Sequence, residues 1–229
     1  EELPAVTGLK PDGRKVTRQR DSSEPFTALV FKIQTDPHLG RLAYMRVYSG
    51  SAKDGQAVLN IRTGKKERLT RLVMMHADKR SHLDSISEGD IAAAGMKNAG
   101  TGDTLTVTGA PLTLETIHFV DPVMEMAIEP ASTSDEKKLE DALEDLASED
   151  PCFKVGVDRE TGQTLIRGMG ELHLEILVDR LKREKKLEVR TGNPQVSYRE
   201  GVAETASASE TFERLIGGKG NYGNATIKV

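Results

Sequence analysis

The strongest constraint on this chain is a change of hydrophobic period close to residue 112. From Phe26 to about Val107, apolar and β-branched residues fall in short runs: Phe26–Ile33, Arg41–Tyr48, Gln56–Ile61, Glu67–Met74, Ile91–Met96 and Thr104–Val107. Turn-forming residues, Asp36-Pro37, Asp54-Gly55, Thr63-Gly64 and Glu88-Gly89-Asp90, separate them roughly every ten positions. Ser49-Gly50-Ser51 reads as a hairpin turn in the same series. No amphipathic helix interrupts the stretch, so the strands have only one another to pair with. A closed antiparallel barrel over 25–112 leaves no edge unpaired.

Beyond Pro111 the pattern alternates between strand and helix periods. Met124, Met126 and Ile128 alternate as a strand, and Ser134 then offers an N-cap ahead of Asp135 and Glu136. Leu139, Ala142, Leu143 and Leu146 form an i, i+3, i+4, i+7 stripe on a helix that ends near Glu149-Asp150-Pro151. Phe153, Val155 and Val157 alternate, Asp158–Gly162 turns, and Gln163–Arg167 returns. Gly168-Met169-Gly170 then opens a second helix with the stripe Leu174, Leu177, Val178 and Leu181, and Leu187 and Val189 begin a last strand. The order β-α-β-β-α-β over 113–192 predicts a ferredoxin-like domain. The fold class is therefore β plus α+β.

Residues 1–24 are polar and without period, which predicts a linker or surface arm. Residues 193–229 are too few to close a core alone and read as two strands of a truncated domain, with Gly217–Gly223 as a mobile loop. The chain begins with Glu1-Glu2-Leu3-Pro4, without Met or a basic-then-apolar segment, and is expected to be a piece of a longer protein.

Composition narrows the chemistry. No apolar run approaches the roughly 18 residues of a membrane helix, so no membrane partner is expected. Cys152 is the only cysteine, which excludes an internal disulfide, a CxxC pair and a cysteine zinc cluster, and points to a reducing, cytoplasmic compartment. The net charge of −4 hides an asymmetry: 17 basic and 13 acidic residues in 1–112 (+4), against 15 and 23 in 113–229 (−8).

No G-x-x-x-x-G-K-[ST] phosphate loop occurs, since Lys219 is followed by Gly220. The five histidines have no H-x-x-x-H spacing, so no metal site is expected. His173 beside Glu171 and Glu175 is the one arrangement from which a general base can be drawn, against its reading as a packed helix-start residue. No catalytic residue is assigned. The sharpest electrostatic feature is Arg62, Lys65, Lys66, Arg68 and Arg71, five cations within ten residues across a predicted hairpin, suited to neutralising phosphates without reading sequence. Arg180, Lys182, Arg183, Lys185 and Lys186 form a second basic run, read as offsetting the dipole at a helix end.

Three stretches go beyond pattern. They are Phe31-Lys32-Ile33-Gln34-Thr35-Asp36-Pro37 with Gly40 to Gly50, Gly168-Met169-Gly170-Glu171-Leu172-His173-Leu174-Glu175-Ile176, and Asn193-Pro194-Gln195-Val196-Ser197-Tyr198-Arg199-Glu200. With Gly102-Asp103-Thr104-Leu105, Val178 to Glu184 and Gly217 to Gly223, the chain resembles bacterial-type elongation factor G, the translocation GTPase, over nearly its whole length. The glycine-flanked helix start at 168–176 is shared by several translational GTPases, whereas the segment from 193 is narrower.

The resemblance implies that 25–112 is domain II, 113–192 domain III and 193–229 the start of domain IV. The GTPase domain, with its GTP and Mg, and domain V would then lie outside the chain. It further implies that the barrel rests on small-subunit ribosomal RNA, with Arg62, Lys65, Lys66, Arg68 and Arg71 facing that RNA. Domain III would pass nucleotide-dependent rearrangement on to domain IV. Gly168, Gly170, Glu171, His173 and Leu177 would line the groove toward the GTPase domain, where fusidic acid lodges in that family. Alternatives are the equivalent piece of a paralogous translational GTPase, a stand-alone RNA-binding protein, and a hydrolase built on His173.

Overall fold

The computed structural model describes residues 4–36, 38–76 and 79–229; Glu1 to Leu3 and Pro37 of the expected Asp36-Pro37 turn lie outside them. Among the described residues the first module and its amino-terminal extension contain β1 (Val6–Leu9), β2 (Lys15–Arg18), β3 (Thr27–Asp36), β4 (Gly40–Ser49), β5 (Ser51–Lys53), β6 (Ala57–Asn60), β7 (Lys65–Arg68), β8 (Thr70–His76), β9 (Lys79–His82), β10 (Ser85–Ser87), β11 (Ile91–Gly95) and β12 (Thr104–Thr106). Eight form one antiparallel sheet in the order β7-β6-β12-β3-β4-β11-β8-β9, with β5 and β10 paired separately.

The sheet curls into a barrel because its opposite ends are adjacent in the chain: a single buried residue, Leu69, joins β7 to β8. Its N–H donates to Gln56 O (3.0 Å) and its carbonyl accepts from Gly55 N (2.6 Å), which ties the corner down. Inward residues from across this sheet, among them Val30, Met45, Val58, Leu72, Ala92 and Leu105, make one core with Phe26 and Ile86.

Several expectations need correction. Residues 1–24 are not a free arm. β1 and β2 pair as a hairpin, and Leu9 exchanges both backbone hydrogen bonds with Thr113 (2.8 Å each). Arg18, 5% exposed, plugs the seam between this hairpin and the barrel, donating to Pro25 O (3.0 Å), Ala110 O and Thr27 Oγ1. The run Glu67–Met74 is two strands rather than one, because the chain turns the barrel corner at Leu69 and Arg71 adopts a left-handed backbone (φ 54°). Ser49-Gly50-Ser51 is a corner, since β5 pairs with β10 and not with β4. A Cβ on Gly50 (φ +70°) would stand 2.4–2.6 Å from backbone atoms of Glu24 and Phe26, so only glycine fits there.

The second module contains β13 (Met124–Pro130), α1 (Glu136–Glu149), β14 (Lys154–Val157), β15 (Thr164–Gly168), α2 (Glu171–Lys185) and β16 (Val189–Gly192). Its sheet order β14-β15-β13-β16, antiparallel throughout, is the ferredoxin-like arrangement. Both helical stripes enter one core, where Leu139, Leu143 and Leu146 meet Leu174, Leu177 and Leu181 over Ile128 and Ile166. Ser134 does not cap α1. A 3-10 turn, Thr133–Asp135, intervenes, Asp135 takes the cap position without a side-chain bond, and Ser134 Oγ bonds Ser132 Oγ (2.9 Å).

Contacts divide the chain between Pro194 and Gln195, so barrel and ferredoxin-like module belong to one unit. From Gln195 onward the chain forms one hairpin, β17 (Ser207–Ile216) and β18 (Lys219–Lys228), paired residue for residue. The segment expected as a mobile loop is mostly strand. Only Gly217 and Gly218 turn, both with positive φ (62° and 78°) as a two-residue connection of matching twist requires.

Candidate nucleic-acid interface and helix-start groove

The five cations at 62–71 do not play one role. Arg62 follows β6 and reaches back to the barrel, where its Nε donates to Asp103 Oδ1 (2.5 Å) and its Nη2 to Asp103 Oδ2 (2.9 Å) and Asn98 O (3.1 Å). Asp103 is buried and also accepts from Asn60 Nδ2 (2.7 Å) and Gly100 N–H (2.8 Å). Burial pushes the Asp103 carboxyl up, but the bonds from Arg62, Gly100 and Asn60 outweigh it and hold the group below its usual 3.8. Arg62 is raised in turn, first by that same hydrogen bond. Arg62, expected to face RNA, is tied to the fold by this buried carboxylate while more than half of its side chain stays in water.

Lys65 and Lys66 stand differently. They start β7 opposite Asn60 and Leu59, both exposed, at the tip of a hairpin whose turn is fixed by Gly64 (φ +65°). Glu67 next to them is buried, and its carboxylate is taken up inside the barrel by Asn60 Nδ2 (3.3 Å) and the Asn98 N–H (3.0 Å). Arg68 leans on Gly55 O (3.0 Å) and remains exposed. Arg71, also exposed, stands where the β8–β11 register shifts between Ala93 and Gly95. β9 carries two further cations, Lys79 and Arg80, at the opposite end of the sheet order from β7, the latter paired with Asp36 (2.6 Å). Sequence reading passed over β9 because four polar residues carry no alternation.

The second basic run is largely neutralised: Arg180 pairs with Glu149 (2.8 Å) and Glu184 (3.0 Å), Arg183 with Asp179 (2.5 Å), and Lys185 with Asp145 (2.5 Å).

At the start of α2, Gly168 is required by close approach. A Cβ there would lie 2.7 Å from Leu174 Cδ2 and 3.1 Å from His173 Nδ1. Gly168→Ala is expected to cost about 1–3 kcal/mol through overpacking, measurable by urea denaturation. Gly170 precedes the helix with extended backbone, and Glu171 is exposed in its first turn. His173 Nδ1 accepts the Met169 N–H (3.1 Å), which places its proton on Nε2 facing Asp150 Oδ2 (2.8 Å). Both ring nitrogens are occupied, and neither by Glu171 or Glu175, so the hydrolase reading loses its base.

Leu177, expected on the groove wall, is 4% exposed and packs in the domain core as the stripe spacing dictates. The solvent-facing apolar residues of this helix start are Met169, Leu172 (69% exposed) and Ile176 (51%), beside Val123, whose N–H bonds Gly168 O (3.1 Å). Among the described residues no group of His, Cys, Asp and Glu is arranged to hold a metal ion, and no helix is long and apolar enough to cross a membrane.

Residues 25–108 match the family described as Elongation factor G domain 2, and residues 119–193 match Elongation Factor G, domain III. Barrel and ferredoxin-like module together therefore define a piece of a translation elongation factor. The whole chain is 52% identical to elongation factor G of Thermotoga neapolitana and 51% identical to that of Thermotoga maritima, covering 33% of each. A crystal structure of a protein from Thermus thermophilus superimposes on 90% of the chain, and on 31% of its own length, with a TM-score of 0.73 at 31% identity. The chain belongs to the elongation factor G family and spans about one third of the length of the curated relatives it matches.

Proposed function

We propose that these modules are the ribosome-docking and interdomain-coupling part of a GTP-driven translocation factor of the cytoplasm. The observation that carries the reading is the pair Lys65 and Lys66, exposed at the tip of a rigid hairpin on a barrel of the elongation factor G family. Two ammonium groups fixed at such a tip neutralise backbone phosphates without reading bases, which suits a structured RNA surface such as that of the small ribosomal subunit. Arg68 and Arg71 widen the same contact; Arg62 acts in it indirectly, by holding the β6–β7 turn on the barrel.

GTP and Mg belong to the parent's GTPase domain and do not fit this chain. Lys219 starts a strand after a two-residue turn, with neither a helix N-terminus nor a Ser or Thr beside it to receive phosphate and metal. In this reading nucleotide hydrolysis is the work of the parent's GTPase domain. The face bearing Met169, Leu172 and Ile176, with Glu171 at its edge, is the wall turned toward the GTPase domain, where the family's fusidic acid groove would form.

In this reading Lys65→Glu with Lys66→Glu weakens binding of the chain to small ribosomal subunits and flattens the dependence of log K on log salt by about two or more. Filter binding across a salt series measures it, with circular dichroism confirming the fold. Unaltered affinity and slope would remove the RNA contact from this hairpin.

A further inference from the structure

Two consecutive carboxylates at the end of α1 engage three separate parts of the molecule and use all four of their oxygens. Glu149 accepts the Thr35 N–H at the end of β3 with Oε1 (2.6 Å) and Arg180 Nη2, midway along α2, with Oε2 (2.8 Å). Asp150 accepts the Cys152 N–H with Oδ1 and His173 Nε2, in the first turn of α2, with Oδ2 (2.8 Å each). His173 in turn holds the Met169 N–H (3.1 Å). A second observation points to the same junction. Arg41, the cross-strand partner of Thr35, is acted on most strongly among the surrounding charges by Asp145, four residues before Glu149 on α1. The barrel thus meets the acidic end of α1 through one backbone amide, with a cation of the adjacent strand in the field of the same helix.

We propose that Glu149-Asp150 is the joint that fastens the ferredoxin-like module to the barrel, and that through it a displacement of the first turn of α2 is delivered to β3. The fastening rests on this geometry alone; the delivery rests on the coupling role given above. A carboxylate that accepts a backbone N–H on one side and a guanidinium on the other holds both at charge-assisted strength, more than either module obtains from a neutral contact. Because the two carboxylates are adjacent in the chain, a single peptide unit separates the acceptor of His173 from the acceptor of Thr35.

The test is hydrogen exchange by NMR on the whole chain, together with residual dipolar couplings that report the relative orientation of the two modules. Glu149→Ala is expected to speed exchange of the Thr35 amide about tenfold to hundredfold while the Leu143 and Leu174 amides keep their protection, and to require separate alignment tensors for the two modules. Glu149→Gln, which keeps an acceptor for Thr35 but gives up the charge opposite Arg180, is expected to show a smaller, several-fold effect and serves if the alanine variant does not fold. For delivery, His173→Ala changes Thr35 exchange several-fold when Glu149 is present and leaves it unchanged in Glu149→Ala. Wild-type Thr35 exchange and one shared tensor in the Glu149 variants overturn the fastening. An effect of His173→Ala that is the same with and without Glu149 overturns the delivery and leaves the fastening standing.

Discussion

Replacing Arg18 by Met is expected to lower the stability of the barrel by about 3 kcal/mol, read as a melting temperature roughly 6–12 °C lower for a chain of this size. Among the described residues no carboxylate pairs with the buried charge of Arg18. Its guanidinium bonds oxygens only, those of Pro25 and Ala110 and the hydroxyl of Thr27, and burial pulls its pKa below the usual arginine value. Methionine fills much of the volume but leaves acceptors of the seam without a donor. Thr106 Oγ1 lies within reach of both Phe26 O (3.0 Å) and Ala110 O (3.1 Å), and its single proton satisfies one of them. Arg18→Lys is expected to recover about half the loss, because one ammonium cannot span the distance between the two sides of the seam as a planar fork does. Equal melting temperatures for wild type and Arg18→Met would show that the amino-terminal hairpin does not hold the barrel closed.

That hairpin is also where sequence reading failed, and the reason is physical. Period is visible only where apolar side chains provide it. Leu42 to Val47, Leu139 to Leu146 and Leu174 to Leu181 announced a strand and two helices because burial of their apolar faces drives them. β1 and β2 are four residues each, and the side chain that anchors β2 is a cation, which reads as surface. The three-residue β5 and β10 each send one residue, Ala52 and Ile86, into the core, too few to show a period, and the wholly exposed β9 sends none.

The candidate site was legible as composition and not as geometry. Lys65 and Lys66 stand as a charge cluster on a turn should, but nothing in the order Arg62-Thr63-Gly64-Lys65 shows that Arg62 turns back to a residue 41 positions later. Leu177 illustrates the converse. Its place in the i, i+3, i+7 stripe assigns it to the core, and the structure upholds the spacing over the groove role that the resemblance implied. For exposed residues such as Leu172 and Ile176 the spacing is equally informative, since they occupy the positions that the stripe leaves out.

Asp103→Asn separates the structural role of the basic turn from the RNA-binding role proposed for it, and it carries a pH signature. The substitution keeps the shape of the side chain but turns an amide, partly a donor, toward Arg62, Asn60 Nδ2 and the Gly100 N–H, all of them donors. The expected loss at neutral pH is about 2–4 kcal/mol, since buried donors are left without an acceptor and the arginine without its counter-charge. The Asp103 carboxyl lies below 3.8 in the folded chain, so it releases its proton more readily there than when unfolded, and its ionisation stabilises the fold. That contribution is complete above about pH 4–5 and disappears as the pH falls through the folded value, where wild type and variant converge. Denaturant titrations at pH 7, 5 and 3 measure the gap, and a gap that stays constant over this range would assign the loss to shape rather than charge. Because Arg62 is both tied to this carboxylate and exposed, weaker ribosome binding in an Arg62 variant combines a loosened turn with a lost cation, whereas Lys65 and Lys66 can be reversed without touching the Asp103 cluster. Only the lysine variants therefore test the proposed RNA contact by itself.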